Sequence, residues 1–142
     1  MNTSTVMTRD VVVVSPTVTA GIAARMMERR RIRHLPVVQG DRLVGIVSDR
    51  DLLKCAPGKS CGAAMTAAPV TCFANASVNQ VAKLMLDHKI DSIPIVSHSG
   101  ALTGLVTSTD LLALLVDRDE AQVIPFDFRL RTAANDSDAL FD

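Results

Sequence analysis

Ala20, Ala23, Ala24 and Met27 follow the i, i+3, i+4, i+7 spacing of one helical face, and Val78, Val81, Ala82 and Met85 repeat it. Ser77 with Gln80 spells a capping box that starts the second of these helices. Ahead of each helix stands a run rich in β-branched residues, Val11–Val14 and Val70–Phe73, which predicts a short buried strand. Turn chemistry follows each run, at Ser15-Pro16 and at Asn75. Beyond the helices, Leu35–Val38 and Leu43–Val47 predict a strand pair joined through Gln39-Gly40-Asp41-Arg42. Ile93–Val96 and Leu102–Val106 predict the same pair again. Pro36 and Pro94 each remove a ladder donor, so they belong at a sheet edge or a strand start. Closing helices are expected from Asp49 and from Thr109.

The order strand, helix, strand, strand, helix therefore occurs twice, and the residues coincide as well as the pattern. At a shift of 58, Met7, Thr8, Val12, Ala24, Met27, Ile32, Pro36 and Val38 meet identical residues. At a shift of 59, after one insertion near Gly100, Leu43, Gly45, Val47, Asp51, Leu52 and Leu53 do so too. Repeats on this scale decide an architecture. Residues 1–58 form the first repeat, 59–117 the second and 118–142 a C-terminal extension, with Ala56–Ser60 as linker. A half of this size buries too little surface alone, so the α/β halves are expected to pack about a pseudo-twofold axis.

Gly45-Ile46-Val47-Ser48-Asp49-Arg50-Asp51 and Gly104-Leu105-Val106-Thr107-Ser108-Thr109-Asp110 share Gly, two aliphatics, Ser/Thr, two variable residues and Asp. Each follows an aliphatic-Pro-aliphatic step, Leu35-Pro36-Val37 or Ile93-Pro94-Ile95. In these motifs the chain resembles the CBS (cystathionine-β-synthase-type) family, over residues 7–116 in two copies. The resemblance implies a Bateman module whose two clefts accept AMP, ADP, ATP or S-adenosylmethionine as a regulatory ligand, with no cofactor required. It implies that Ser48 and Asp51, and Thr107 and Asp110, hold ribose or phosphate. It also implies that each Asp faces the residues before the proline step of the other repeat. Asp110 and Thr107 would then share a cleft with Arg33 and His34, and Asp51 and Ser48 with Asp91 and Ser92. The first pairing would prefer nucleotides, because charge-assisted bonds are the stronger ones.

A carboxylate forks onto vicinal hydroxyls, which suits ribose. The same residues also spell S/T-x-x-D capping boxes, which do no more than start a helix. Arg29, Arg30, Arg31 and Arg33 cluster at a helix end, where cations complement the macrodipole; a solvated face and a polyanion contact both fit.

Fifteen basic and fifteen acidic side chains cancel, so any charge-driven function is local. Trp and Tyr are absent and Phe occurs four times, which makes nucleic-acid binding the weakest reading. The longest apolar run, Leu111–Val116, is far short of the roughly 20 residues that cross a bilayer, and a cytoplasmic protein is expected. Cys55, Cys61 and Cys72 have no CxxC spacing and read as reduced thiols. His34, His88 and His98 lack a partner ligand, and no metal site is expected. Gly58-Lys59-Ser60 resembles the end of a P-loop but lacks its first Gly, since Leu53 stands there. No residue set pairs a nucleophile with a base, so the chain does not read as an enzyme. Phe126–Arg131 alternates apolar and charged residues as a strand would, and with the apolar helix faces it points to a homodimer. The reading is an adenosine-ligand sensor that signals to an effector protein; the rival is a ligand-free structural or dimerisation module.

Overall fold

Alanine and valine at the inward positions of each predicted helix let it lie close on the strands that follow. In the computed structural model, residues 1–116 are described, and the expected strand at 126–131 lies outside them. The elements are α1 (Thr3–Val6), α2 (Ala20–Arg30), β1 (His34–Gln39), β2 (Arg42–Ser48) and α3 (Asp49–Leu53). They continue as α4 (Cys61–Ala64), β3 (Thr66–Ala67), α5 (Val78–His88), β4 (Ser92–Val96), β5 (Leu102–Thr107) and α6 (Ser108–Val116). Ala20, Ala23 and Met27 are buried as expected, but Ala24 is exposed, at the margin of the stripe. The Ser77–Gln80 capping box is formed, with Gln80 N donating to Ser77 Oγ at 3.1 Å. Arg31 and Lys89, at equivalent positions, end α2 and α5 in the left-handed conformation.

β1 and β2 form an antiparallel hairpin extended by β3, while β4 and β5 form a second hairpin. The runs expected as first strands pair through a single residue each. Val14 N donates to Pro36 O at 3.1 Å and Val38 N to Val14 O at 2.9 Å, a parallel bridge opposite Val37. The next rung would need Val12 O to accept from the nitrogen of Pro36, which carries no hydrogen. Cys72 meets Ile95 in the same way, and Pro94 blocks that ladder at Val70. Val11 and Val12 are thereby left out of the sheet.

Leu43 N donates to Gly100 O and Leu102 N to Asp41 O, so the two hairpin tips clasp each other about the expected pseudo-twofold. The opening segment of each repeat belongs to the other repeat's core. Met7 packs with Val81, Met85, Ile93, Ile95 and Val106, whereas Cys61 packs with Val14, Ala23, Leu35 and Val47. Gly45 and Gly104 permit the crossing: a Cβ on Gly45 would stand 2.9 Å from Thr66 O, and one on Gly104 3.0 Å from Thr8 O. Burial raises the thiol pKa of Cys61, with a further contribution from Cys55, and that of Cys72, so both resist ionisation.

Candidate functional site

The valines excluded from the sheet by Pro36 form one wall of a cleft of about 310 Å³ between the repeats. Val11, Val12, Ile32 and Leu105 supply apolar surface, Thr107, Thr109 and Asp110 a polar end, and Arg31 and Arg33 the cations. Thr8 and Asp10 enter because Thr8 pairs with Leu105 of β5, its N donating to Leu105 O at 2.8 Å. Four of the residues singled out from the sequence, Arg33, His34, Thr107 and Asp110, are thus brought together. Ser48 and Asp51 stand outside this cleft.

Both capping boxes are built. Asp51 Oδ2 accepts from Ser48 N at 2.8 Å while Asp51 N donates to Ser48 Oγ at 3.2 Å. Asp110 Oδ2 accepts from Thr107 N at 2.8 Å while Asp110 N donates to Thr107 Oγ1 at 3.3 Å. Capping uses one carboxylate oxygen. Asp110 Oδ1 has no hydrogen-bond partner among the described residues and can accept from a ligand hydroxyl.

The expected sorting of charges needs correction at Asp91. This carboxylate lines the Asp110 cleft, where His34 Nε2 lies 2.8 Å from its Oδ1. The His34 side chain is 11% exposed and that of Asp91 51%. His34 is therefore engaged across the seam, and Arg31 and Arg33 are the cations left to meet an anion. Asp10 and Thr109 were not identified from the sequence, and Arg31 was singled out there only as a member of the basic cluster at the end of α2. Arg31 reaches the cleft through its left-handed backbone, and Thr109 occupies a variable position of the motif. Among the described residues no cluster of metal-ligating side chains occurs, and no helix is long and apolar enough to cross a membrane.

Two interleaved α/β repeats around a shared amphipathic cleft define a tandem-repeat class of α/β fold. The CBS domain profile matches residues 4–58 and 61–117, and the chain belongs to the CBS domain family. It is similar to inosine-5′-monophosphate dehydrogenase of Thermoplasma acidophilum, at 35% identity over 108 residues, covering 76% of this chain and 22% of that protein. Curated dehydrogenase relatives are matched over 18% to 30% of their length, their CBS portion alone. Among solved structures, CBSX2 in complex with AMP aligns at 28% identity and TM-score 0.75, covering 82% of this chain and 98% of that one. The CBS domain pair of MJ0100 with 5′-methylthioadenosine and S-adenosyl-L-methionine aligns at 26% identity and TM-score 0.76, covering 81% and 99%.

Proposed function

We propose that this chain is a regulatory module that binds an adenosine-containing ligand in the Asp110 cleft and passes occupancy to a partner protein. The observation that carries the reading is the juxtaposition of a carboxylate oxygen left over from capping, an apolar wall and two arginines. The wall suits a flat heterocycle, the carboxylate suits vicinal hydroxyls, and the arginines suit phosphate. CBSX2 with AMP and the MJ0100 pair with S-adenosyl-L-methionine support the ligand class. AMP, ADP and ATP meet all three requirements, whereas S-adenosylmethionine meets the first two and offers the arginines a carboxylate in place of phosphate.

Asp110→Asn is the discriminating variant, because its amide oxygen still accepts from Thr107 N while an N–H2 group replaces the free oxygen. Affinity for AMP in isothermal titration should fall about 10- to 100-fold, the worth of a hydrogen bond to a charged group. The melting temperature should hardly move, since the cap survives. Unchanged affinity, or no heat from AMP, ATP or S-adenosylmethionine with the unaltered protein, would leave the ligand-free structural module as the better account.

Self-association belongs to the same reading. Leu53, Leu86, Leu112 and Leu115 are exposed on α3, α5 and α6, and a further hollow of about 320 Å³ opens beside Met27, Leu52 and Leu53. Apolar helix faces of this kind favour a homodimer. Light scattering at micromolar concentration should return twice the 15.2 kDa chain mass; a monomer would refute it.

A further inference from the structure

Between Thr8 and Val14 the chain crosses from one repeat to the other and is tied down only at its ends. Thr8 N donates to Leu105 O at 2.8 Å and Leu105 N to Thr8 O at 3.0 Å, which fixes one end to the second hairpin. Val14 is fixed to the first hairpin through Pro36 O and Val38 N. Between these anchors the backbone of Arg9–Val13 makes no hydrogen bond to any described residue, because Pro36 ends the ladder. Its one polar tie among the described residues runs from the Arg9 guanidinium to Ser4 O at 3.1 Å.

This stretch is a wall shared by two hollows. Asp10, Val11 and Val12 line the Asp110 cleft, whereas Arg9, Val11 and Val13 line a separate hollow of about 190 Å³. The alternation is that of an extended chain, whose successive side chains face opposite ways. The three valines are half-buried. The far hollow reaches Gly40, Asp41 and Leu102, and so adjoins the clasp in which Leu102 N donates to Asp41 O at 2.9 Å. The second repeat has Ala67, Ala68, Pro69, Val70 and Thr71 at the equivalent positions. There Thr66 and Ala67 pair with Ile46 and Gly45 as β3, and the ring of Pro69 fixes its φ. Arg9–Val13 has neither restraint.

We propose that Arg9–Val13 is a movable strap, which a ligand in the Asp110 cleft presses into the far hollow so that occupancy is passed to the hairpin tips. A stretch without backbone bonds belongs to the low-stability end of a fold, and the far hollow gives it somewhere to go. A ligand shifts such a strap only through contacts that differ between its two positions, and Asp10 and Val12, on the cleft side, supply them. That the ligand contains adenosine rests on the function proposed above; the mobility of the strap does not.

The test uses the full chain with AMP, and the variants Thr103→Phe and Thr103→Val. Thr103 is exposed at the far hollow, and its Oγ1 donates to Ile95 O at 3.1 Å. Both variants lose that bond, but only phenylalanine fills the hollow. In isothermal titration Thr103→Phe should bind AMP about fivefold or more weakly than Thr103→Val, the low end of ordinary coupling between sites. Amide exchange followed by NMR should find Asp10–Val13 far faster than Thr8 and Val14 in the free protein, and saturating AMP should slow the Leu102 amide. Equal AMP affinities for the two variants would overturn the proposal. A Leu102 amide indifferent to bound AMP, or Asp10–Val13 amides as protected as that of Val14, would do the same. If AMP binds none of the three proteins, the ligand reading fails and the strap is judged without it. Thr103→Phe should then shift the amide resonance of Ile32, which lines the cleft, while Thr103→Val leaves it in place. An Ile32 resonance unmoved by both would overturn the strap as well.

Discussion

Residues 59–142 expressed alone should remain unfolded, although they contain a complete copy of the sequence repeat. The second half takes part of its core from the first ten residues of the chain. Thr3, fully buried, donates through N and Oγ1 to Ala76 O at 2.8 and 2.7 Å, and Ser4 N donates to Ala74 O. Met7 fills the cluster beneath β4 and β5, and Thr8 pairs with Leu105. Burial of Met7 alone contributes about 1.5–3 kcal/mol. A domain this small has a total stability of only a few kcal/mol, so the loss removes most of it. The fragment should give a featureless thermal scan by circular dichroism, and mixing it with residues 1–58 at micromolar concentration should restore a cooperative transition. A cooperative melt by the fragment on its own would show that the exchange of segments is dispensable.

This exchange marks the limit of what sequence reading could reach. The repeat was legible because Pro36 and Pro94, Gly45 and Gly104, and Asp51 and Asp110 each answer a local demand of the backbone, and local demands recur with the period. The helix stripe and the Ser77–Gln80 cap were legible for the same reason. Which repeat receives Met7 or Cys61 is settled by packing across the seam, and periodicity is blind to it: both residues sit in register with their own repeat. The first strands failed for a reason present in the sequence but not local to them, since the proline that ends the ladder lies more than twenty residues away.

The site divides along the same line. The pairing of Asp110 and Thr107 with Arg33 and His34 followed from the resemblance to CBS modules, and the cleft holds all four. The partner of His34 did not follow, because the shift of 58 turns a His34–Asp91 pair into Ser92 and Arg33, which make no such bond among the described residues, so the repeat pattern does not point to it. That bond breaks the pseudo-twofold. It also joins residues close to both capping boxes, since Arg33 O accepts from Asp49 N and Asp91 O from Ser108 N at 2.9 and 2.8 Å.

Ile93→Ala should lower stability by about 2–5 kcal/mol and should do so through one transition, not two. Ile93 is fully buried on β4, opposite Val106, within the cluster that also holds Val81, Met85 and Met7. Truncation leaves a cavity that neighbours on two strands and a helix cannot close. If the repeats were separate units, the second would melt early and the first would keep its midpoint. They share too much for that: Met7 and Cys61 each belong to the opposite core, and the hairpin tips exchange the Leu43–Gly100 and Leu102–Asp41 bonds. Calorimetry and circular dichroism should therefore report a single, coincident and lowered midpoint. AMP binds at the seam in the proposed reading, so at about 100 times its dissociation constant it should return roughly 2.7 kcal/mol to the variant and shift the whole transition upward. An upper transition left at the original midpoint would mean that the repeats unfold independently, and ligand occupancy at the seam could then not be felt across the molecule as one event.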